Sequence, residues 1–188
     1  AFKITRGSWE SVEGNAEGNF RPNRTYTYEG GLDTLVLAIQ SWEDLAGGVA
    51  GSTAAENVQV LAEDFYMPQL NRNRRVWLYL PPDYATSGKR YPVLYMHDGQ
   101  NLFDAATSFS GEWEVDESLN ALFAEGDPGV IVVGIDNGGD HRLDEYSPWT
   151  VIYDGFTFGG EGDQYVRFIV ETLKPYIDKQ YRTKAGRE

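Results

Sequence analysis

Two short apolar runs, residues 91–96 (Tyr-Pro-Val-Leu-Tyr-Met) and 130–135 (Val-Ile-Val-Val-Gly-Ile), limit the fold more than any other feature of the chain. Neither alternates apolar with polar residues, so each reads as a strand covered on both faces, the pattern of central parallel strands. Parallel neighbours need a crossover. The segment between them supplies one: Val115, Leu119, Leu122 and Phe123 recur at helical spacing, and Asp116 and Glu117 suit the positive end of the helix dipole. A longer helix is predicted over about residues 162–178 from the stripe Tyr165, Phe168, Ile169, Leu173, Tyr176 and Ile177, kinked or restarted at Pro175. Upstream, residues 58–66 and 75–80 read as an antiparallel pair at the sheet edge, the second ended by Pro81 and Pro82. The pattern is α/β, a doubly wound sheet.

The first 46 residues have another texture. Phe2-Lys3-Ile4-Thr5, residues 9–13, Thr25-Tyr26-Thr27-Tyr28 and the apolar run 34–42 are β-formers separated by turn residues, with a Gly/Asn-rich stretch at 14–19. Three or four strands are few for a sandwich, so residues 1–46 are expected to be part of a β-sandwich. Residues 47–56 are small and uncharged up to Glu56, as a linker would be, and the α/β part runs over 57–188.

Composition excludes some functions. Twenty-nine acidic against 16 basic residues give a net charge of −13, which repels phosphate backbones and anionic lipid headgroups, so neither nucleic acid nor membrane is an expected partner. No apolar run reaches the roughly 20 residues of a membrane helix. The absence of cysteine excludes disulfides and thiolate chemistry.

Serine hydrolases built on such sheets carry the nucleophile at a strained Gly-x-Ser-x-Gly elbow, because close backbone approach needs glycine on both sides. None of the nine serines sits in that pattern, and both histidines, His97 and His141, come early in the chain. The polar tail after residue 180 stands where another buried strand is due. The sequence therefore predicts a chain that stops short of its nucleophile, with both ends falling inside domains. A sheet interrupted there is expected to self-associate through its exposed edge.

The runs Arg75-Val76-Trp77-Leu78-Tyr79-Leu80-Pro81-Pro82-Asp83-Tyr84 and Tyr91-Pro92-Val93-Leu94-Tyr95-Met96-His97-Asp98-Gly99-Gln100-Asn101-Leu102-Phe103-Asp104 resemble the putative esterase family, which includes enterochelin and feruloyl esterases. Trp113-Glu114-Val115-Asp116-Glu117, Val132-Val133-Gly134-Ile135-Asp136-Asn137, Glu145-Tyr146-Ser147-Pro148-Trp149, Leu173-Lys174-Pro175-Tyr176-Ile177-Asp178 and Tyr181-Arg182-Thr183 follow in the order such esterases show. The resemblance implies the N-terminal half of an α/β-hydrolase-type sheet. It further implies a serine carboxylester hydrolase acting on a small-molecule or carbohydrate-linked ester, with no cofactor and with Ser, Asp and His supplied after Glu188. The chain alone would then be inactive. Residues 1–46 look like the later strands of a starch-binding or immunoglobulin-like domain. A noncatalytic carbohydrate-binding or scaffold protein is the reading from another class, in which Trp9, Tyr26 and Trp42 would stack on sugar rings, although tryptophan in a small β domain is more often core; an acyltransferase of the same fold is the third.

Within the resemblance, the loop after residue 96 is where this fold takes an oxyanion-hole N–H, with Gln100 as donor and Gly99 allowing the tight turn. The bare residues fit a strand-ending turn equally well. His97, Asp98, Asn101, Asn137 and Arg142 are candidates for the cleft wall, His97 in a structural hydrogen-bonding role. Arg142 is expected to pair with Glu145 or Asp104. The acidic residues around Asp136, Asp140, His141 and Asp144 fit no metal spacing, and the included Arg142 opposes a cation, so no metal is expected. Trp149, Tyr153, Phe156 and Phe158 form an aromatic, glycine-rich loop, with Trp149 expected in packing and the others suited equally to packing or to a lid.

Overall fold

The computed structural model describes residues 1–6, 12–16, 20–31, 34–42, 52–109, 111–184 and 186. Trp9 and linker residues 47–51 lie outside them. In the front piece, β1 (Glu13–Gly14) pairs antiparallel with β2 (Ser41–Trp42), and single bridges join Phe2 to Arg24 and Thr5 to Val12. The predicted strands over 25–28 and 34–40 carry no ladder, and Val36 is 92% exposed. Among the described residues of this piece Val12 is the one buried apolar side chain. So little apolar burial cannot hold long strands. An ion pair holds the centre: fully buried Glu13 takes Arg24 Nε at 2.8 Å on both oxygens, which keeps its carboxyl below the usual range.

The second part is a four-stranded sheet of β3 (Val58–Met67), β4 (Arg72–Tyr79), β5 (Val93–His97) and β6 (Ile131–Ile135), in the order β3-β4-β6-β5. β3 and β4 form the expected antiparallel hairpin, turned by Asn71 at φ 50°, and β5 lies parallel to β6. Between them runs α1 (Val115–Ala124). Mixed pairing and helices on both faces make this the α/β-hydrolase type of fold.

The two-residue period of the strands sorts their side chains between two cores. Val76 and Leu78 of β4 with Ile131, Val133 and Ile135 of β6 pack against Tyr165, Phe168, Leu173 and Ile177 of the long helix. Trp77 and Tyr79 with Val132 face the other way, onto Leu102 and Phe103, with Val115 and Leu119 of α1 beside them. Gly134 falls on that second face, where a Cβ would stand 2.9 Å from Leu102 Cδ1, so glycine is the residue that lets the loop after β5 close onto the sheet.

All five β6 residues are buried, as predicted, whereas in β5 Leu94 is 45% exposed. β5 is the end strand among the described residues, and β6 covers one of its sides. Just before it, Tyr91 pairs with the end of the described chain: its N–H donates to Arg182 C=O and its C=O accepts from Lys184 N–H. The long helix comprises α3 (Gly162–Arg167), a π-helical stretch Phe168–Leu173 and α4 (Lys174–Gln180). The kink expected at Pro175 takes this form: the ring crowds the preceding turn and donates no N–H, and the widened turn just before it absorbs the mismatch.

Between β6 and α3 lie α2 (Arg142–Glu145) and the hairpin of β7 (Val151–Tyr153) with β8 (Phe156–Phe158). Trp149 leads into this hairpin 76% exposed, against the expectation of packing, because a two-stranded ribbon has no second layer to bury it. α2 is tied to the sheet by charge: Glu145, fully buried, receives Arg74 Nη2 at 2.7 Å and Arg72 Nη1 at 3.0 Å, and Arg72 also reaches Glu161.

Removing one partner of a buried pair leaves an uncompensated charge. Glu145→Ala should therefore cost about 3–5 kcal/mol in urea unfolding, while Arg167→Ala, which breaks the exposed pair with Glu171, should leave the midpoint unchanged. Equal effects of the two substitutions would contradict this account of the network.

Candidate active site

The parallel strands β5 and β6 end side by side, and the loops leaving their carboxyl ends meet there, the position at which open α/β sheets take ligands. After His97 the chain enters a left-handed residue, Asp98 at φ 54°, then a single 3-10 turn, Gly99–Asn101. A Cβ on Gly99 would stand 2.8 Å from Ile135 N, Ile135 C and Asp136 N, so the turn lies directly on the end of β6. Asn101 and Leu102 donate the turn's own bonds, back to Asp98 and Gly99. The N–H groups of Gly99 and Gln100 open the turn, where helical geometry provides no internal acceptor.

Four contacts hold Asp98 in its strained conformation. Arg142 grips the carboxylate with Nε and Nη2, each at 2.8 Å; Asn137 Nδ2 donates to it at 2.7 Å; and Tyr146 OH accepts the Asp98 N–H at 3.3 Å. The bidentate guanidinium, then the Asn137 amide, hold the Asp98 carboxyl below the usual carboxylate range despite burial. Arg142 therefore pairs with Asp98 and not with Glu145 or Asp104. Glu145 already receives two arginines, and Asp104 accepts the Ser52 hydroxyl and the Thr53 N–H. Arg142 also lies over the Tyr146 ring, 5.0 Å from its centre.

The Gln100 side chain crosses to the neighbouring loop, its Oε1 accepting Asn137 N–H at 3.1 Å. The two loops are thus cross-linked twice, through Gln100 and through Asp98. His97 is exposed at the strand end, with Nδ1 3.1 Å from Tyr165 OH and its ring 5.0 Å from that of Tyr146. Burial raises both tyrosine hydroxyls, so they stay protonated at neutral pH. Asn101 has a loop-closing role rather than a cleft one: it is buried, its Oδ1 accepts Phe109 N–H and its C=O accepts Trp113 N–H.

Asp136 is half-buried beside Trp77, whose Nε1 donates to it at 2.8 Å, and desolvation raises its carboxyl above the usual range. A cleft of about 370 Å³ opens next to it, lined by Arg72, Arg74, Arg75, Asn137 and His141. His141 also converges with Asp144 and Glu161, but Arg72 already provides the positive charge at Glu161 and Asp144 accepts the Gly159 N–H.

Tyr146, Tyr165, Trp77 and the Arg72/Arg74 pair did not stand out in the sequence as parts of the site. One signal was available for the arginines. Arg72 and Arg74 are two residues apart on a strand and so share a face, which asks for a buried acid opposite.

The chain matches the family model described as "Putative esterase" over residues 67–188 and belongs to that family. The "Uncharacterized protein YbbA" of Bacillus subtilis is 37% identical over 113 residues, covering 58% of this chain and 41% of that protein. A stretch of 43 residues, 23% of this chain, is 46% identical to 3% of an alpha-amylase of Niallia circulans. Among solved structures, an IroE-like serine hydrolase from Shewanella oneidensis is 27% identical, with TM-score 0.53 over 67% of this chain and 39% of that one. The BES protein from Bacillus cereus shares the fold at 21% identity, TM-score 0.52, over 69% and 48%. The chain spans less than half the length of each of these proteins.

The Asp98–Arg142 lock has a pH signature. A carboxyl whose folded pKa lies below its unfolded value of about 3.8 contributes stability that is present above that value and is lost as pH falls through the folded pKa. Arg142 is 44% exposed, so Arg142→Ala should cost only about 1–2 kcal/mol at pH 7. In urea unfolding from pH 7 to pH 3 the gap between the two proteins should hold to about pH 4 and then narrow. A gap that widens with acid would contradict the pairing.

Proposed function

Starting from this family membership, we propose that the chain forms the leading half of a serine carboxylester hydrolase domain. Gly99 and Gln100 contribute the oxyanion loop, and His97, Asp98, Asn137 and Arg142 build and brace the cleft wall. The observation that carries the reading is the turn at the carboxyl end of β5, whose first two N–H groups have no acceptor within it and which rests on β6 through a glycine that admits no side chain. When a nucleophile adds to an ester carbonyl, negative charge gathers on the carbonyl oxygen. Fixed backbone donors stabilise it without reorganising, an effect worth about 10²–10³ in kcat for each donor. The similarity to an IroE-like serine hydrolase supports serine as the attacking group.

This chain lacks the Gly-x-Ser-x-Gly elbow that such an attack uses in this fold. Its 188 residues therefore prepare the site without completing the catalytic triad, and they are inactive alone. The same apparatus would pass the acyl group to an alcohol if water were excluded. A second reading concerns the front piece, where a groove of about 420 Å³ is lined by Phe2, Arg24, Tyr26 and Leu35. Its mixed aromatic and polar lining would suit a sugar ring and its hydroxyls, and the short stretch shared with an alpha-amylase is in keeping with that.

The purified chain should release no p-nitrophenol from p-nitrophenyl butyrate above the buffer rate; turnover, whether or not a serine-reactive phosphonate stops it, would contradict the primary reading. Retention on insoluble starch that Tyr26→Ala abolishes would support the second.

A further inference from the structure

Carboxylates converge beside the segment that leads into β3, and two of them keep a buried oxygen without a donor. Asp116, in the first turn of α1, is fully buried; its Oδ2 accepts the Ala55 N–H at 2.8 Å, and its Oδ1 accepts nothing. Glu112 repeats the arrangement, with Oε2 taking the Thr53 hydroxyl at 2.8 Å and a buried Oε1 taking nothing. Glu117 brings a third carboxylate, and one oxygen from each of the three lies within 4.8 Å of the others. Arg72 and Arg74 pair with Glu145, Lys89 with Asp83 and Arg142 with Asp98. Burying anionic oxygens with neither donor nor counter-charge is costly, so a positive charge has to balance them.

We propose that Glu112, Asp116 and Glu117 bind a calcium ion. Hard divalent cations take carboxylate oxygens, and calcium, at about 2.3–2.6 Å, accepts them in a flexible, irregular arrangement. Magnesium demands near-ideal octahedral geometry and is usually held by one or two carboxylates, so a cluster of three favours calcium. Three carboxylates leave room for water in the rest of the coordination sphere. The acidic group at His141 differs, since the Arg72 guanidinium already serves it.

The ion would join three pieces of chain. Asp116 and Glu112 hold residues 53–55, Thr53 Oγ1 in turn accepts the Ala105 N–H, and Trp113 and Val115 donate their N–H groups to Asn101 and Leu102. It thus fastens the return arm of the loop that carries Gln100.

The test uses the 188-residue chain stripped with EDTA and titrated with calcium chloride at pH 7, read by calorimetry and by thermal unfolding. Saturable binding at one site with a rise in Tm is expected. Glu117→Gln and Glu112→Gln, at an exposed and a half-buried position, should each weaken it about tenfold or more. Failure of calcium at about 10 mM to bind or to raise Tm would overturn the proposal. So would unchanged affinity in both variants, which would put the ion elsewhere, or a Tm that responds only to acid, which would mean that Asp116 and Glu117 share a proton. An equal rise with magnesium chloride would overturn the choice of calcium.

Discussion

The close seating of Gly99 on the end of β6 is the constraint from which the rest of the site follows. A hypothetical Cβ there would lie 2.8 Å from three backbone atoms of Ile135 and Asp136, so only a residue without a side chain lets the two parallel strands deliver their loops to one place. Once the turn is seated, Gln100 reaches Asn137 and Asp98 reaches Arg142. The left-handed backbone of Asp98 is strained for a residue with a side chain, and the bidentate arginine, the Asn137 amide and the Tyr146 hydroxyl offset that strain. Charge-assisted bonds span the two loops and brace them against each other.

That bracing is passed to the sheet in two ways. Gly134 repeats the same device one layer lower, leaving space for Leu102 and Phe103 to close the loop against Trp77. On the other face, Glu145 binds α2 to β4 through two arginines, so the helix that presents Arg142 is itself fixed to the strand beside β6. The long helix covers the larger core and brings Tyr165 under His97. Function and packing share these residues. Weakening the arginine network would be felt at Asp98 through the position of α2.

The α/β part of the fold was legible because its signals are local and redundant. Continuous apolar runs, a helical stripe and paired prolines mark β5, β6, α1 and β4, and the family motifs fall in order along them. The front piece was less legible, since β-formers such as those at 34–40 make a ladder only when a neighbour covers them, and Val36 has no such cover. At the proposed site, the turn of Gly99 and Gln100 lies at the strand end where the sequence put it, whereas the partner of Arg142 was misassigned. Asp98, 44 positions away, is brought within reach by a turn whose left-handed start no pattern of residue types announces. Trp149 was misplaced for a related reason: an aromatic residue signals burial only where a second layer exists to receive it.

The central claim is that the first N–H groups of the turn after β5 are free to receive a developing oxyanion. Backbone amide nitrogen and proton shifts of the 188-residue chain, followed during titration with butyrate as a carboxylate product, measure this directly. The account predicts a concentration-dependent downfield shift of the Gln100 and Gly99 amides, with Asn137, which hydrogen-bonds the Gln100 side chain, responding less. Shifts confined to the arginine-lined cleft beside Asp136, with Gly99 and Gln100 unmoved, would contradict it.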